Sequence, residues 1–217
     1  MCKINIAIDG PSGVGKSTIA DFLAKKYGMV HLDTGAMYRC VSYYIYVNNV
    51  NYDDPIELEQ ALNQITIRFD GKKVFLNGED VSDAIRTNDI SMMAAKVSSY
   101  SAVRKKLVAL QQDICAEKGY IVDGRDICSV VLPEAEVKIF MSASSDARAM
   151  RRYEEYIDKG IECDYEQLLN DINERDYQDS HRAISPLKKA EDAIEVDTSN
   201  MSIEQVVERL SEIIENR

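Results

Sequence analysis

Ile6-Ala7-Ile8-Asp9-Gly10-Pro11-Ser12-Gly13-Val14-Gly15-Lys16-Ser17-Thr18 is an apolar run that breaks into a glycine loop and then into a lysine and two hydroxyl residues. Its second part, Gly10 to Ser17, matches GxxxxGK[ST], the phosphate-binding P-loop. With glycine near 7% of residues, four such fixed positions match by chance in on the order of one chain of this length in a hundred. The flanks narrow the choice further. Ile4, Ile6 and Ile8 read as a short buried strand of a parallel sheet. Ile19, Phe22 and Leu23 then sit at helical spacing in residues 17–27, ahead of a capping Gly28. Backbone N–H groups and the positive end of that helix converge on an anion held by the loop, and glycines let the backbone approach it. Lys16 is expected on the β and γ phosphates of ATP, and the Ser17 hydroxyl on the accompanying Mg²⁺. The competing possibility is a glycine-rich turn with no ligand.

Outward from this loop, residues 29–32 supply a second strand and close a βαβ unit, after which Asp33-Thr34-Gly35-Ala36-Met37-Tyr38-Arg39 falls where ligands of open α/β sheets gather. Residues 65–69 and 73–76 are β-prone runs on either side of Asp70-Gly71, which predicts an antiparallel hairpin within an insert. Val103, Leu107, Leu110 and Ile114 form one stripe of a helix over residues 101–116. Strands are expected at 120–122, 137–141 and 194–196. Ser202 and Gln205 form a capping-box pattern ahead of an amphipathic helix with Ile203, Val206, Val207, Leu210, Ile213 and Ile214 on its apolar face. The fold class is α/β: a central parallel sheet flanked by helices, with an antiparallel β-containing insert embedded in one domain spanning 1–217.

The 217 residues suit one such domain, and 45% hydrophobic content with 29% charged residues lies far from the composition of disordered chains. Asp and Glu number 37 against 26 Lys and Arg, a net charge of -11 that repels nucleic acid and acidic bilayers. No nucleic-acid or membrane partner is expected, and an anionic substrate requires a local cluster of arginines. Cys2, Cys40, Cys115, Cys128 and Cys163 are scattered and lack CxxC spacing, which fits a reducing compartment. The first apolar run stops at Asp9, too short for a leader or a membrane span, so a cytoplasmic location is expected.

Three further groups draw attention. Asp123-Gly124-Arg125-Asp126 follows a predicted strand; alone it reads equally as an acidic turn, but beside a P-loop it reads as part of a site. Leu168, Ile172, Arg175, Asp179 and Arg182 recur at spacings of four and three, so one helical face passes from apolar to charged. That face is either a solvated ladder or the wall of an anion site. Arg148, Arg151 and Arg152 precede a charged stretch at 153–160 that suits a mobile lid. His31, inside a strand, and His181, among polar residues, receive no role, and Tyr43, Tyr44 and Tyr46 are expected partly buried on a helix. No guanine-reading N-K-x-D sequence is present, which disfavours a switch GTPase, and the chain is short for a motor subunit.

Several ordered blocks taken together resemble the bacterial cytidylate kinases, a nucleoside monophosphate kinase family. They are IAIDGPSGVGKST at 6–18, LDTGAMYR at 32–39, NGEDVSDAIRT at 77–87, VDGRDICSVVLPEAEVKIFM at 122–141 and ERDYQDSHRAISPLKKAEDAIEVDTS at 174–199. The resemblance implies phosphoryl transfer from MgATP to CMP or dCMP by a monomer, with a monophosphate-binding insert at about 34–104 and a lid at about 148–163. It implies ATP contacts from Gly10, Pro11, Ser12, Gly13, Val14, Gly15, Lys16, Ser17, Thr18, Arg148 and Arg152. For the acceptor it implies Thr34, Arg39, Arg104, Arg125, Asp126, Arg175, Asp179 and Arg182. Within that set Arg104 and Asp126 face cytosine, and Lys16, Arg125 and Arg182 carry the catalysis. Ala95 stands where many members have a base-contacting Ser, and Cys128 where a Gly is common. A kinase for UMP or AMP and a nucleotide-dependent switch are the alternatives.

Overall fold

A computed structural model describes residues 3–217, so Cys2 lies outside the described residues. The chain runs β1 (Ile6–Asp9), α1 (Lys16–Tyr27), β2 (Val30–Asp33), α2 (Thr34–Val47), α3 (Pro55–Asn63), β3 (Ile67–Asp70), β4 (Lys73–Leu76) and β5 (Glu79–Asp80). It continues through α4 (Asn88–Val97), α5 (Ser101–Cys115), β6 (Tyr120–Gly124), β7 (Val137–Ser142), α6 (Ser145–Asp158), α7 (Tyr165–His181), β8 (Ile194–Asp197) and α8 (Ile203–Glu215). Two compact units result: Met1–Leu32 with Ile114–Arg217, and Asp33–Asp113.

The first unit holds a five-stranded parallel sheet in the order β2-β6-β1-β7-β8. β1 lies between β6 and β7, parallel to both, and all four of its residues are buried, as an unbroken Ile-Ala-Ile-Asp run in a central strand requires. Register then decides where the loops meet. Ile8 pairs with Asp123 and Asp9 with Gly124, so the glycine loop after β1 and the charged turn after β6 leave the same carboxyl edge side by side. Ile6, Ile8, Ile19, Leu23, Ile121, Ile139, Met141 and Leu210 form the core beneath that edge.

Two apolar stripes differ from their sequence patterns. On α1 the buried set is Ile19, Ala20, Leu23 and Ala24, and Phe22 is 52% exposed because it lies on the flank of that stripe. On α8 the capping box forms, but Ile203 in the first turn stays exposed while Val206, Leu210, Ile213 and Ile214 are buried.

The second unit contains the expected hairpin: β3 and β4 pair antiparallel around Gly71, at φ 57, and the short β5 adds a third strand. α2 packs on α4, burying Met37, Val41, Ile45, Ile90 and Val97. Of the three tyrosines on α2, Tyr43 and Tyr44 are half-buried, but Tyr46 is exposed because it faces away from α4.

Candidate active site

The glycine loop turns sharply because its backbone meets the next strand. A Cβ on Gly10 would stand 2.2 Å from the Met141 carbonyl oxygen, so no other residue fits there. Gly15 caps α1 in the left-handed region at φ 96, which leaves the first N–H groups of the helix aimed into the loop. Lys16 is buried, and its ammonium donates to the carbonyls of Gly10 and Pro11, 2.7 Å to each. Burial, then repulsion from Arg125, holds this lysine well below its ordinary pKa; Asp123, Asp9 and Asp179 offset part of that.

Asp9 ends β1 with a fully buried carboxylate that accepts from the backbone N–H groups of Ile127 and Cys128, each at 2.8 Å. Burial raises its pKa to about 6 although both amides oppose that shift. These bonds anchor the π-type turn Ile127–Val131, and so fix the direction in which Arg125 and Asp126 leave β6. Cys128 packs its thiol against the Ala7 and Ile139 carbonyls, and burial pushes the thiol pKa up, so this position is structural and unreactive.

Two crossed ion pairs join that turn to α7. Arg125 Nε donates to Asp179 Oδ2 at 2.8 Å, and the Arg182 guanidinium lies 3.6 Å from Asp126 while its Nε donates to the Ser185 carbonyl at 2.5 Å. Asp179 is buried, which works against its charge, yet Arg125, Arg175 and Arg182 hold its carboxyl below the usual range. The apolar part of the α7 stripe, Leu168 and Ile172, is buried, and so is Asp179 on its charged part, so that face is packed and not a solvated ladder. Arg148, 4% exposed, grips Asp176 through both terminal nitrogens at 3.0 and 2.5 Å and donates to the Ser12 carbonyl at 3.0 Å, bracing the glycine loop from α6. Arg152 lies half-buried one turn further along α6, whose helix runs on to Asp158 through most of the stretch expected to form a lid.

Ser17, exposed at the second position of α1, donates to Asp123 Oδ2 at 2.9 Å. Among the described residues no group of three or more His, Cys, Asp or Glu side chains stands ready to hold a metal. This donor set fits Mg²⁺ that arrives with a nucleotide, because such an ion keeps phosphate oxygens and waters and takes only one or two protein oxygens. The anchored Ser17 hydroxyl would serve as an oxygen of that kind.

In the second unit, Thr34 opens α2 and is buried, next to Asp33, whose carboxylate caps the helix through Ala36 N at 2.8 Å and accepts from Arg39 Nη2 at 3.0 Å. Arg39 Nε is buried without a hydrogen bond among the described residues. Arg104, 4% exposed, places its guanidinium 5.9 Å from the centre of the Tyr38 ring. Near Ala95, the Ser98 hydroxyl donates to the Ala95 carbonyl at 2.7 Å.

His31 lies in β2, the strand position expected for it, and has two carboxylate partners that the sequence does not reveal. Its Nδ1 lies 2.7 Å from Asp21 Oδ1 and its Nε2 lies 2.8 Å from Asp123 Oδ1. Asp9, Asp21 and Asp176 were likewise missed. Each works through a partner 10 to 119 positions away, and no local pattern announces such a pairing.

A family model described as cytidylate kinase matches residues 6–216. A cytidylate kinase of Fusobacterium nucleatum is 49% identical over 215 residues, covering 99% of both chains. One from Bacillus subtilis is 45% identical over 219 residues, covering 99% of this chain and 98% of that one. Among solved structures, a shikimate kinase from Bacteroides thetaiotaomicron superposes with a TM-score of 0.51 at 13% identity, covering 98% of both chains. An uncharacterized protein from Eubacterium ventriosum reaches 0.54 at 15% identity, with 99% of both covered. At such identities the likeness speaks to the fold alone.

Proposed function

The chain belongs to the cytidylate kinase family, and from that premise we propose that it transfers the γ-phosphoryl group of MgATP to CMP or dCMP, giving ADP and the pyrimidine diphosphate. The observation that carries this proposal is the pair of crossed arginine–aspartate bridges beside the glycine loop, which fixes two guanidinium groups in a chain of net charge -11. Two polyanions have to approach within bonding distance, and catalysis then consists of alignment and charge stabilisation, with no covalent enzyme intermediate.

On the donor side, the loop amides hold the phosphate chain, and Lys16 exchanges two backbone carbonyls for β and γ oxygens. Arg148 and Arg152 serve the same side, Arg148 by bracing Ser12. The Ser17 hydroxyl would hold the Mg²⁺ that accompanies ATP, and the ion would supply charge neutralisation for the donor phosphates. On the acceptor side, Arg125 and Arg182 contact the monophosphate as the phosphoryl group moves, supported by Arg175 and Asp179. Thr34 and Arg39 are assigned to the acceptor's sugar and phosphate, and Arg104 with Asp126 to cytosine. A carboxylate accepts from the cytosine 4-amino group and opposes the acceptor that uracil carries there.

Helix α6 with the connection behind it is assigned as the lid that excludes water, which otherwise competes for the phosphoryl group. Among the described residues no helix is long and apolar enough to cross a membrane. A cytoplasmic monomer is the form proposed. A coupled assay of ADP release over CMP, dCMP, UMP and AMP tests the whole: CMP or dCMP is the best acceptor. Equal release without any acceptor, or preference for AMP, refutes it.

A further inference from the structure

The imidazole of His31 is wedged between two carboxylates that belong to different elements. Asp21, on α1, faces Nδ1 at 2.7 Å, and Asp123, at the end of β6, faces Nε2 at 2.8 Å. Each ring nitrogen therefore lies within hydrogen-bond distance of a carboxylate oxygen, so the ring is held at both ends. Its side chain is 12% exposed and that of Asp123 is 5% exposed, so the contact is shielded from water. Asp123 has then committed one oxygen to His31 and the other to the Ser17 hydroxyl, 2.9 Å away.

The charges around Asp123 give this geometry a consequence. Three side chains act on Asp123: His31 and Ser17 through hydrogen bonds and Lys16 through its charge. Of these, Lys16 is also the cation needed by the donor phosphates, and its own hydrogen bonds run to Gly10 and Pro11. With one oxygen held by His31, Asp123 keeps the other on Ser17, and the Lys16 ammonium stays on its two backbone carbonyls. We infer that His31 is a positioning residue of the donor site: held by Asp21, it orients Asp123 so that the Ser17 hydroxyl is presented to the nucleotide-bound metal and Lys16 is left for the phosphates.

This role rests on the donor-side reading of Lys16 and Ser17, and its failure is separable from failure of that reading. If the unaltered protein releases no ADP with CMP, the kinase assignment falls and the inference with it. If the unaltered protein turns over normally, the variants decide on His31 alone. His31→Gln removes the ring and keeps one donor; Asp21→Asn leaves the histidine and weakens what holds it.

Calorimetric titration with ATP, with and without Mg²⁺, measures how much the metal strengthens binding. Initial rates give KM for MgATP and for CMP separately. Loss of a group supporting a metal ligand typically weakens metal affinity or activity by about ten- to a hundredfold. For His31→Gln the Mg²⁺-dependent gain in ATP affinity falls by about tenfold, KM for MgATP rises in step and KM for CMP stays within about twofold. Asp21→Asn shifts the same quantities in the same direction by less. His31→Lys, which offers a cationic donor from the same position, recovers part of the loss.

A merely structural histidine gives another result: lower urea resistance with the Mg²⁺-dependent gain unchanged, or donor and acceptor constants shifted together. Either overturns the inference. Should His31→Gln fail to fold, Asp21→Asn and His31→Lys carry the same two outcomes.

Discussion

Arg125→Ala separates what the arginine does for the fold from what it does for the reaction. Its guanidinium meets Asp179 at 2.8 Å, with side-chain exposures of 18% and 5%. Deleting the arginine strands a carboxylate whose solvation has already been removed, a change that costs about 3–5 kcal/mol when no other cation is near. Here Arg175 and Arg182 also lower the Asp179 pKa, so compensation persists and the lower end, about 3 kcal/mol, applies. Far-UV circular dichroism against urea reads this loss, since the chain contains no tryptophan. Arg125→Ala/Asp179→Ala removes the stranded charge and should recover about 2 kcal/mol of it. Turnover should behave differently. Losing a contact that strengthens in the transition state lowers the rate by about a hundred- to a thousandfold, and the double variant should stay as slow. In equilibrium binding the single variant should lose affinity for CMP more than for ATP. Turnover that returns with stability in the double variant would refute a direct role for Arg125. Unaltered urea resistance in the single variant would show that the buried pair does not hold α7 to the turn after β6.

Lys16→Ala should reverse that binding pattern, weakening ATP more than CMP while lowering turnover by about a hundred- to a thousandfold, and separate calorimetric titrations check it. Asp126→Asn should lower the CMP-to-UMP ratio of kcat/KM by about tenfold or more, because it replaces an acceptor with a group that tolerates both bases. The ratio is the quantity to measure, since Asp126 lies 3.6 Å from Arg182 and weakening that pair slows both acceptors together. Asp9→Asn should change how stability depends on pH. Burial raises Asp9 from 3.8 to about 6, so the folded state holds this proton more tightly than the unfolded chain. Its stabilising contribution is full below the unfolded pKa and disappears as pH rises through about 6, a difference of about 3 kcal/mol at 1.36 kcal/mol per pKa unit. Urea midpoints at pH 4.5 and pH 7 should therefore converge in the variant relative to the parent, and an unchanged pH slope excludes Asp9 as the source.

The alternation of apolar runs and glycine turns by itself determined the α/β class, the strands and the hairpin, because strand and helix periods are local properties of the chain. β1, the glycine loop and the cap at Gly28 fall where that pattern puts them, and the Ser202–Gln205 box forms as read. Arg175 on α7 and Arg182 at its C-terminal cap were visible as a spacing, but not what they face. Tertiary structure decided that Arg125 pairs with Asp179 and Arg182 with Asp126, that Arg148 braces Ser12, and that Asp9 anchors the turn after β6. It decided the same for His31, a strand residue without local distinction until β2, α1 and β6 bring two carboxylates to its ring. The physical reason is the range of the forces. Periodicity records which face of an element avoids water, one residue at a time. The direction and charge of a buried polar group depend on partners brought by other elements, and on a desolvation cost that exists only once the sheet has assembled.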